Sequence, residues 1–250
     1  MSAADKRSVA LAELAPTGNI RVAMNVGNAA TVSRRGDALV GPAPRLAAAL
    51  GAWTCLPVSV IAYKSAGEVL KAAAGDAWDV AFLAVDAARS AFHFTPPYLS
   101  IQAIAVVRTS SPLHDVRELD AAGVRIASSA GAAYDLVLQR VLRNATRTAF
   151  EGPQASFAGF DAQGLDAVVG IRETVEKAFA GRADVRPLQG VVATIDHALA
   201  TPVSRTHAAA LLDDFVRTSW RALAGQAAGG EFRDEGLRPV TPAMEETGHD

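Results

Sequence analysis

Apolar positions along this chain follow two periods in turn, short β-like runs and longer stretches at helical spacing. Ile20–Met24 is a compact apolar run that ends at Asn25, with Gly27 and Asn28 just beyond. Leu39–Leu50 predicts a helix with Pro42 in its first turn, where proline is tolerated. Val58–Tyr63 reads as a β-branched strand, and Ser65-Ala-Gly-Glu68 as a capping box opening a helix to Ala74 that Gly75 ends. A strand is expected over Asp79–Val85, and another over Ile101–Val107 after the Pro96-Pro97 turn. A second set follows the break at Ser110–Pro112. It comprises a short helix from Val116, a strand over Val124–Ala127, and a turn Ser128–Gly131 entering a helix that reaches Val141. A helix over Ala155–Gln163, a strand over Leu165–Val169 and a helix over Glu173–Ala180 come next. Val191–Ala200 is extended, and Arg205–Leu223 is an amphipathic terminal helix. Strand–helix–strand order of this kind implies parallel strands with helical crossovers. The expected fold is α/β.

Composition narrows the function classes. The 250 residues can bury a substantial core, and the net charge of −2 comes from mixed signs, so no nucleic-acid footprint is present. No apolar run approaches the roughly 18–20 residues of a membrane helix, which argues against membrane insertion. Cys55 is the single cysteine, so an internal disulfide or cysteine cluster is excluded; it is expected to pack as a small hydrophobe. His93, His114, His197, His207 and His249 have no metal-ligand spacing, and no phosphate loop, dinucleotide fingerprint or serine elbow occurs, so no cofactor is expected. Glu13 interrupts Val9–Ala12, so Met1–Gly18 lacks the apolar core of a secretory leader. The expectation is a cytoplasmic protein as the sequence stands, and a periplasmic one if a leader was removed. Pro239–Asp250 is polar and is expected to be a loose tail.

The richest segment is Asp79-Val-Ala-Phe-Leu-Ala-Val-Asp86-Ala-Ala-Arg89, leading into Phe94-Thr-Pro-Pro-Tyr98. A strand empties into a polar turn that carries one arginine. Ligands of open α/β sheets sit beyond the carboxyl ends of the strands, and a guanidinium there suits a carboxylate. This run resembles the corresponding segment of family 3 extracellular solute-binding proteins over roughly Asn19–Gly236. The resemblance implies a two-lobed periplasmic-binding-protein type II fold, two open α/β sheets joined by a two-strand hinge. Crossings are expected near Arg108–Ser110 and Val192–Asp196, with residues 1–109 and 195–250 in one lobe and 110–194 in the other.

The resemblance also assigns candidate ligand contacts. Arg89 matches the arginine that holds a ligand carboxylate in the family, although a local ion pair with Asp86 competes for it. The turn through Ser128, Ser129, Gly131 and Ala132 matches the anion loop of the second lobe, where backbone N–H groups open a helix; a plain serine cap is the alternative. Where amino-acid binders carry an acid for the ligand ammonium, this chain reads Gly170-Ile171-Arg172-Glu173. Arg172 there is expected to repel an ammonium and attract an anion. Asn25, Asn28, Tyr63, Asp86 and His197 complete the expected site. The leading expectation is a binding protein that closes on a small organic acid, with an ABC permease as a partner. The alternatives are a lyase resembling cyclohexadienyl dehydratases, with Asp86, Glu173 or His197 as the acid, and a ligand-sensing module.

Overall fold

The computed structural model describes residues 2–220 and 239–240. From the N-terminus come α1 (Ala3–Leu14), β1 (Ile20–Asn25), the hairpin β2 (Ser33–Arg35) and β3 (Ala38–Val40), α2 (Pro42–Thr54), β4 (Val58–Tyr63), α3 (Ala66–Ala73), β5 (Val80–Ala84), β6 (Phe92–Phe94) and β7 (Leu99–Arg108). They are followed by β8 (Arg125–Ser129), α4 (Ala133–Val141), β9 (Thr146–Phe150), α5 (Pro153–Ala162), β10 (Ala167–Ile171), α6 (Arg172–Ala178) and β11 (Val185–Pro187). The chain returns through β12 (Ala193–Pro202), α7 (Thr206–Phe215) and β13 (Pro239–Val240).

The two halves of the sheet repeat one arrangement. In the first, β1 lies between β4 and β5 and runs parallel to both. In the second, β8 lies between β9 and β10, again parallel to both. A strand whose neighbours lie on opposite sides marks the point where the crossovers diverge, and the crevice opens at its carboxyl end. Each half carries apolar clusters on both faces of its strands. This is why Val22, Ala23 and Met24 are consecutive and all buried.

The long strands β7 and β12 join the halves. Ala193–His197 pair antiparallel with Leu99–Ala103, and His197–Ala200 pair with β5 of the first half. Ala103–Val107 pair with β10 of the second. Along β7 the pairing with β12 ends and the pairing with β10 begins at Ala103. Ser100 and Gln102 of this strand are polar and exposed, and it is continuously buried only from Ala103 to Val107.

Several local expectations are corrected. Leu39 and Val40 belong to the β2–β3 hairpin, and the helix starts at Pro42. Cys55 is exposed and takes the left-handed conformation that ends α2, with φ 58°. β9 is a half-polar strand that the pattern of apolar positions does not mark. The terminal helix ends at Phe215 and continues as a wider π turn over Val216–Trp220, while Leu223 and His249 lie outside the described residues. Of the expected tail, Pro239 and Val240 pair with β4, and residues 241–250 lie outside the described residues.

The segment before β1 is also structured. Helix α1 buries Ala10 and Leu14. Its Glu13 carboxylate receives the Ala208 and His207 backbone N–H groups (3.0 and 2.8 Å) and bonds His207 Nδ1 (2.7 Å). Arg205 gives α7 no side-chain cap, so Glu13 caps that helix from another element.

Candidate functional site

The two crevices face each other. Residues after β1 and β5 form one wall, and residues after β8 and β10 form the other. Between them lies a free volume of about 40 Å³, several times the roughly 10–15 Å³ that one water requires.

Arg89 is the charged side chain of this cleft. It sits in a short 3-10 turn whose start is capped by Asp86, which accepts from the Ala88 N–H at 2.8 Å. The side chain is 5 % exposed. Its Nη1 donates to the Ala84 carbonyl (2.5 Å) and its Nη2 crosses the cleft to the Gly131 carbonyl (2.9 Å), while Nε has no partner. No carboxylate lies in ion-pair range of it among the described residues. Burial pulls the guanidinium down to about 10, and Asp86 offsets only part of that shift. The anticipated local pair with Asp86 does not form. Asp86 instead bonds Arg140 of the opposite half, at 3.0 Å.

His197 stands where β12 leaves β7 for β5, and alternation along the strand places it on the same face as Ile195. It is buried, and its Nε2 lies 3.5 Å from Asn28 Nδ2 while Nδ1 is unpartnered. Burial, with the Arg89 cation adding to it, pushes the imidazole down to about 3, and Asp196 acts weakly in the opposite sense. It is a neutral ring at physiological pH. Asn28 is buried too, and its Oδ1 accepts from the Ala30 N–H at 3.2 Å. Asn25 Oδ1 accepts from the Gly27 N–H at 2.9 Å. Gly27 is required there, since a Cβ would lie 2.4 Å from the Lys64 carbonyl.

The opposite wall is largely backbone and apolar. Ala132 opens α4 with no side-chain cap, and Ser129, Ala132, Ala133 and Tyr134 line the cleft. Ser128 is withdrawn from it, because its hydroxyl bonds the buried Asp135. Asp135 also pairs with Arg147 and holds the loop by accepting from the Gly131 N–H at 3.4 Å. Gly131 contributes its carbonyl to Arg89 from the opposite wall.

Ile171, buried and uncharged, occupies the lining position where an acid was sought. Arg172 is corrected: it points away, donating from Nε and Nη2 to Gln102 Oε1 (3.1 and 2.8 Å), and does not line the cleft. One residue along a helix turns the side chain by about 100°, so Ile171 and Thr174 share the inner face while Arg172 leaves it. Thr174, not singled out from the sequence, accepts from the Ala29 N–H (3.1 Å) and donates to the Gly27 carbonyl (3.3 Å), linking the halves. Its i,i+3 spacing from Ile171 was the available signal. Tyr63 is corrected as well, since it packs with the cluster around Trp78, outside the cleft. Phe82, Leu83 and Ile195 supply apolar lining, and no acidic side chain among the described residues lines the cleft.

No family model and no curated protein matches the sequence. Solved structures do match in shape. Holo ArgBP from T. maritima superposes with a TM-score of 0.70 at 17% identity, over 86% of this chain and 98% of that one. The periplasmic VFT2 domain of BvgS from Bordetella pertussis gives 0.71 at 21% identity, over 91% and 98%. The amino acid ABC transporter substrate-binding protein AbpA from Streptococcus pneumoniae, bound to L-arginine, gives 0.69 at 17%, over 86% and 92%. No helix among the described residues is long and apolar enough to cross a membrane. The chain has the two-lobed type II periplasmic-binding-protein fold.

Proposed function

We propose that this protein is a solute-binding protein that holds a small carboxylic acid without an ammonium group between its two lobes. The observation that carries the reading is Arg89, a buried guanidinium facing the cleft with an unpaired Nε and no carboxylate partner among the described residues. A buried charge is ordinarily paired, and a ligand carboxylate supplies the missing partner. The exclusion of an ammonium follows from the same lining. No acid among the described residues lines the cleft to receive it, and Arg89 repels it at short range. Arg172, which the sequence put forward for that exclusion, has no part in it; Ile171 and Arg89 take over the role. Delivery of the ligand to an ABC permease is the partner this reading implies, and the shape shared with AbpA supports it.

Binding is favoured over lyase chemistry by the condition of the three candidate acids. Asp86 is engaged by Arg140, Glu173 is exposed and off the cleft, and His197 is a neutral ring near neutrality, without the imidazolium proton of a general acid. In this reading β7 and β12 form the hinge, and the lobes meet within residues 99–102 and 194–197. The test is thermal denaturation with short monocarboxylic acids and their matched L-amino acids. An acid at about 100 times its Kd contributes about 2.7 kcal/mol, which raises Tm by about 5–10 °C for a chain of this size. Stabilisation by the amino acids and by none of the acids contradicts the reading.

A further inference from the structure

Two residues that line the cleft each carry a buried polar atom without a partner among the described residues, Arg89 Nε and His197 Nδ1. They are neighbours by construction. Arg89 donates to the carbonyl of Ala84, and Ala84 is the residue paired with His197 across β5 and β12. Both side chains are more than nine-tenths buried, Arg89 at 5 % exposure and His197 at 6 %.

The hydrogen-bond network fixes the character of the second orphan. Asn28 Oδ1 is taken by the Ala30 N–H, so the side of Asn28 that faces His197 is its Nδ2 donor. A donor there makes His197 Nε2 the acceptor. A neutral imidazole has a single N–H, which must then sit on Nδ1. Both orphans are therefore donors. Two side-chain acceptors nearby each already take a backbone N–H, Asn25 Oδ1 that of Gly27 and Asn28 Oδ1 that of Ala30.

Resting on the carboxylate reading, we infer that the ligand is a 2-oxo monocarboxylic acid with a short apolar side chain. Its carboxylate meets the Arg89 guanidinium, and its adjacent keto oxygen accepts from His197 Nδ1–H. A keto oxygen brings lone pairs and no hydrogen, so it satisfies the second donor without demanding an acceptor. A 2-hydroxy group brings a hydrogen that needs an acceptor of its own, and the Asn25 and Asn28 side-chain oxygens each already take an N–H. A 2-amino group brings a cation beside Arg89. A plain acid leaves a buried donor unpaired, which such sites discriminate against. The side chain lies against Phe82, Ile171 and Ile195, and the small free volume limits it to a few carbons.

The experiment is calorimetry on the full chain with four matched compounds, 2-oxoisovalerate, 2-hydroxyisovalerate, isovalerate and L-valine. The 2-oxo acid is expected to bind at least about tenfold more tightly than isovalerate and the hydroxy acid, with no binding of valine. In His197→Phe the 2-oxo advantage over isovalerate falls below about threefold. Should that variant not fold, nitrogen NMR of the wild-type imidazole decides in its place. A proton on Nδ1 is expected, and a proton on Nε2 overturns the inference. Equal binding of isovalerate and the 2-oxo acid, both lost in Arg89→Ala, overturns it while leaving the carboxylate reading standing. No binding of any acid overturns both.

Discussion

Lowering the pH from 7 to 5 is predicted to cost the ligand-free protein about 2 kcal/mol through His197 alone. The ring's ordinary value of 6.5 falls to about 3 in the fold, first through burial and then through Arg89. The unfolded chain therefore takes up a proton near pH 6.5 that the native state refuses, and stability drops as the pH falls below that point. Between pH 7 and 5 the unfolded state gains by a factor of about 25, or about 2 kcal/mol. Any folded value below about 4 gives the same figure, because at pH 5 the native ring is still neutral. Glu13, Asp115 and Asp184, whose acidities are also shifted, contribute equally in a variant that changes only His197. Urea unfolding of wild type and His197→Gln at both pH values isolates the contribution. The wild type should lose about 2 kcal/mol more than the variant over this interval. An identical loss in the two proteins refutes the claim that His197 is held neutral by the fold.

Three further outcomes follow from named contacts. Ile171→Asp places a carboxylate in the cleft that competes for Arg89; at about 6 Å and an effective dielectric near 20 its repulsion of a ligand carboxylate is about 3 kcal/mol, so calorimetry should show acid affinity falling about 100-fold while short L-amino acids begin to bind. Asp79→Asn should cost about 3–5 kcal/mol in urea unfolding, because Asp79 is fully buried and receives Arg21 (2.8 Å) and Arg205 (2.6 Å), which are then left with only the exposed Asp76 as counter-charge. Glu13→Gln should cost about 1–2 kcal/mol at pH 7 and progressively less as the pH falls through the acidic range. Burial raises the Glu13 pKa, but the hydrogen bonds from Ala208 and His207 outweigh it and lower it overall, so its contribution is present above the unfolded value and lost on acidification.

The alternation of apolar strands and helical stretches made the two-lobed architecture legible, since each βαβ step reads locally. Arg89, Asn25, Asn28, Ser129 and Ala132 line the cleft from strand mouths, a position that sequence can mark, whereas His197 lines it from within β12. Arg172 was misplaced for a reason of phase: at a strand-to-helix junction one residue decides whether a side chain faces the cleft or solvent, and apolar Ile171 gave no sign that it was the inner one. Tyr63 was misread because an aromatic residue at a strand end can serve either the cleft or the layer of helices, and here Trp78 and its neighbours claim it. Asp86 and Asp135 both found partners remote in sequence, Arg140 and Arg147, and no local pattern announces such pairings. Helix α1 was hidden because its stabilising contacts are with α7, at the far end of the chain.

The central claim is that Arg89 anchors a ligand carboxylate, and calorimetry on wild type and Arg89→Ala tests it most directly. The titrant is the short monocarboxylic acid that most raises the wild-type Tm, with circular dichroism confirming that the variant is folded. Removing the guanidinium from a desolvated carboxylate should cost about 2–5 kcal/mol of binding, a loss of about 30- to several-thousand-fold in affinity. A folded Arg89→Ala protein that binds the acid as tightly as wild type would contradict the account.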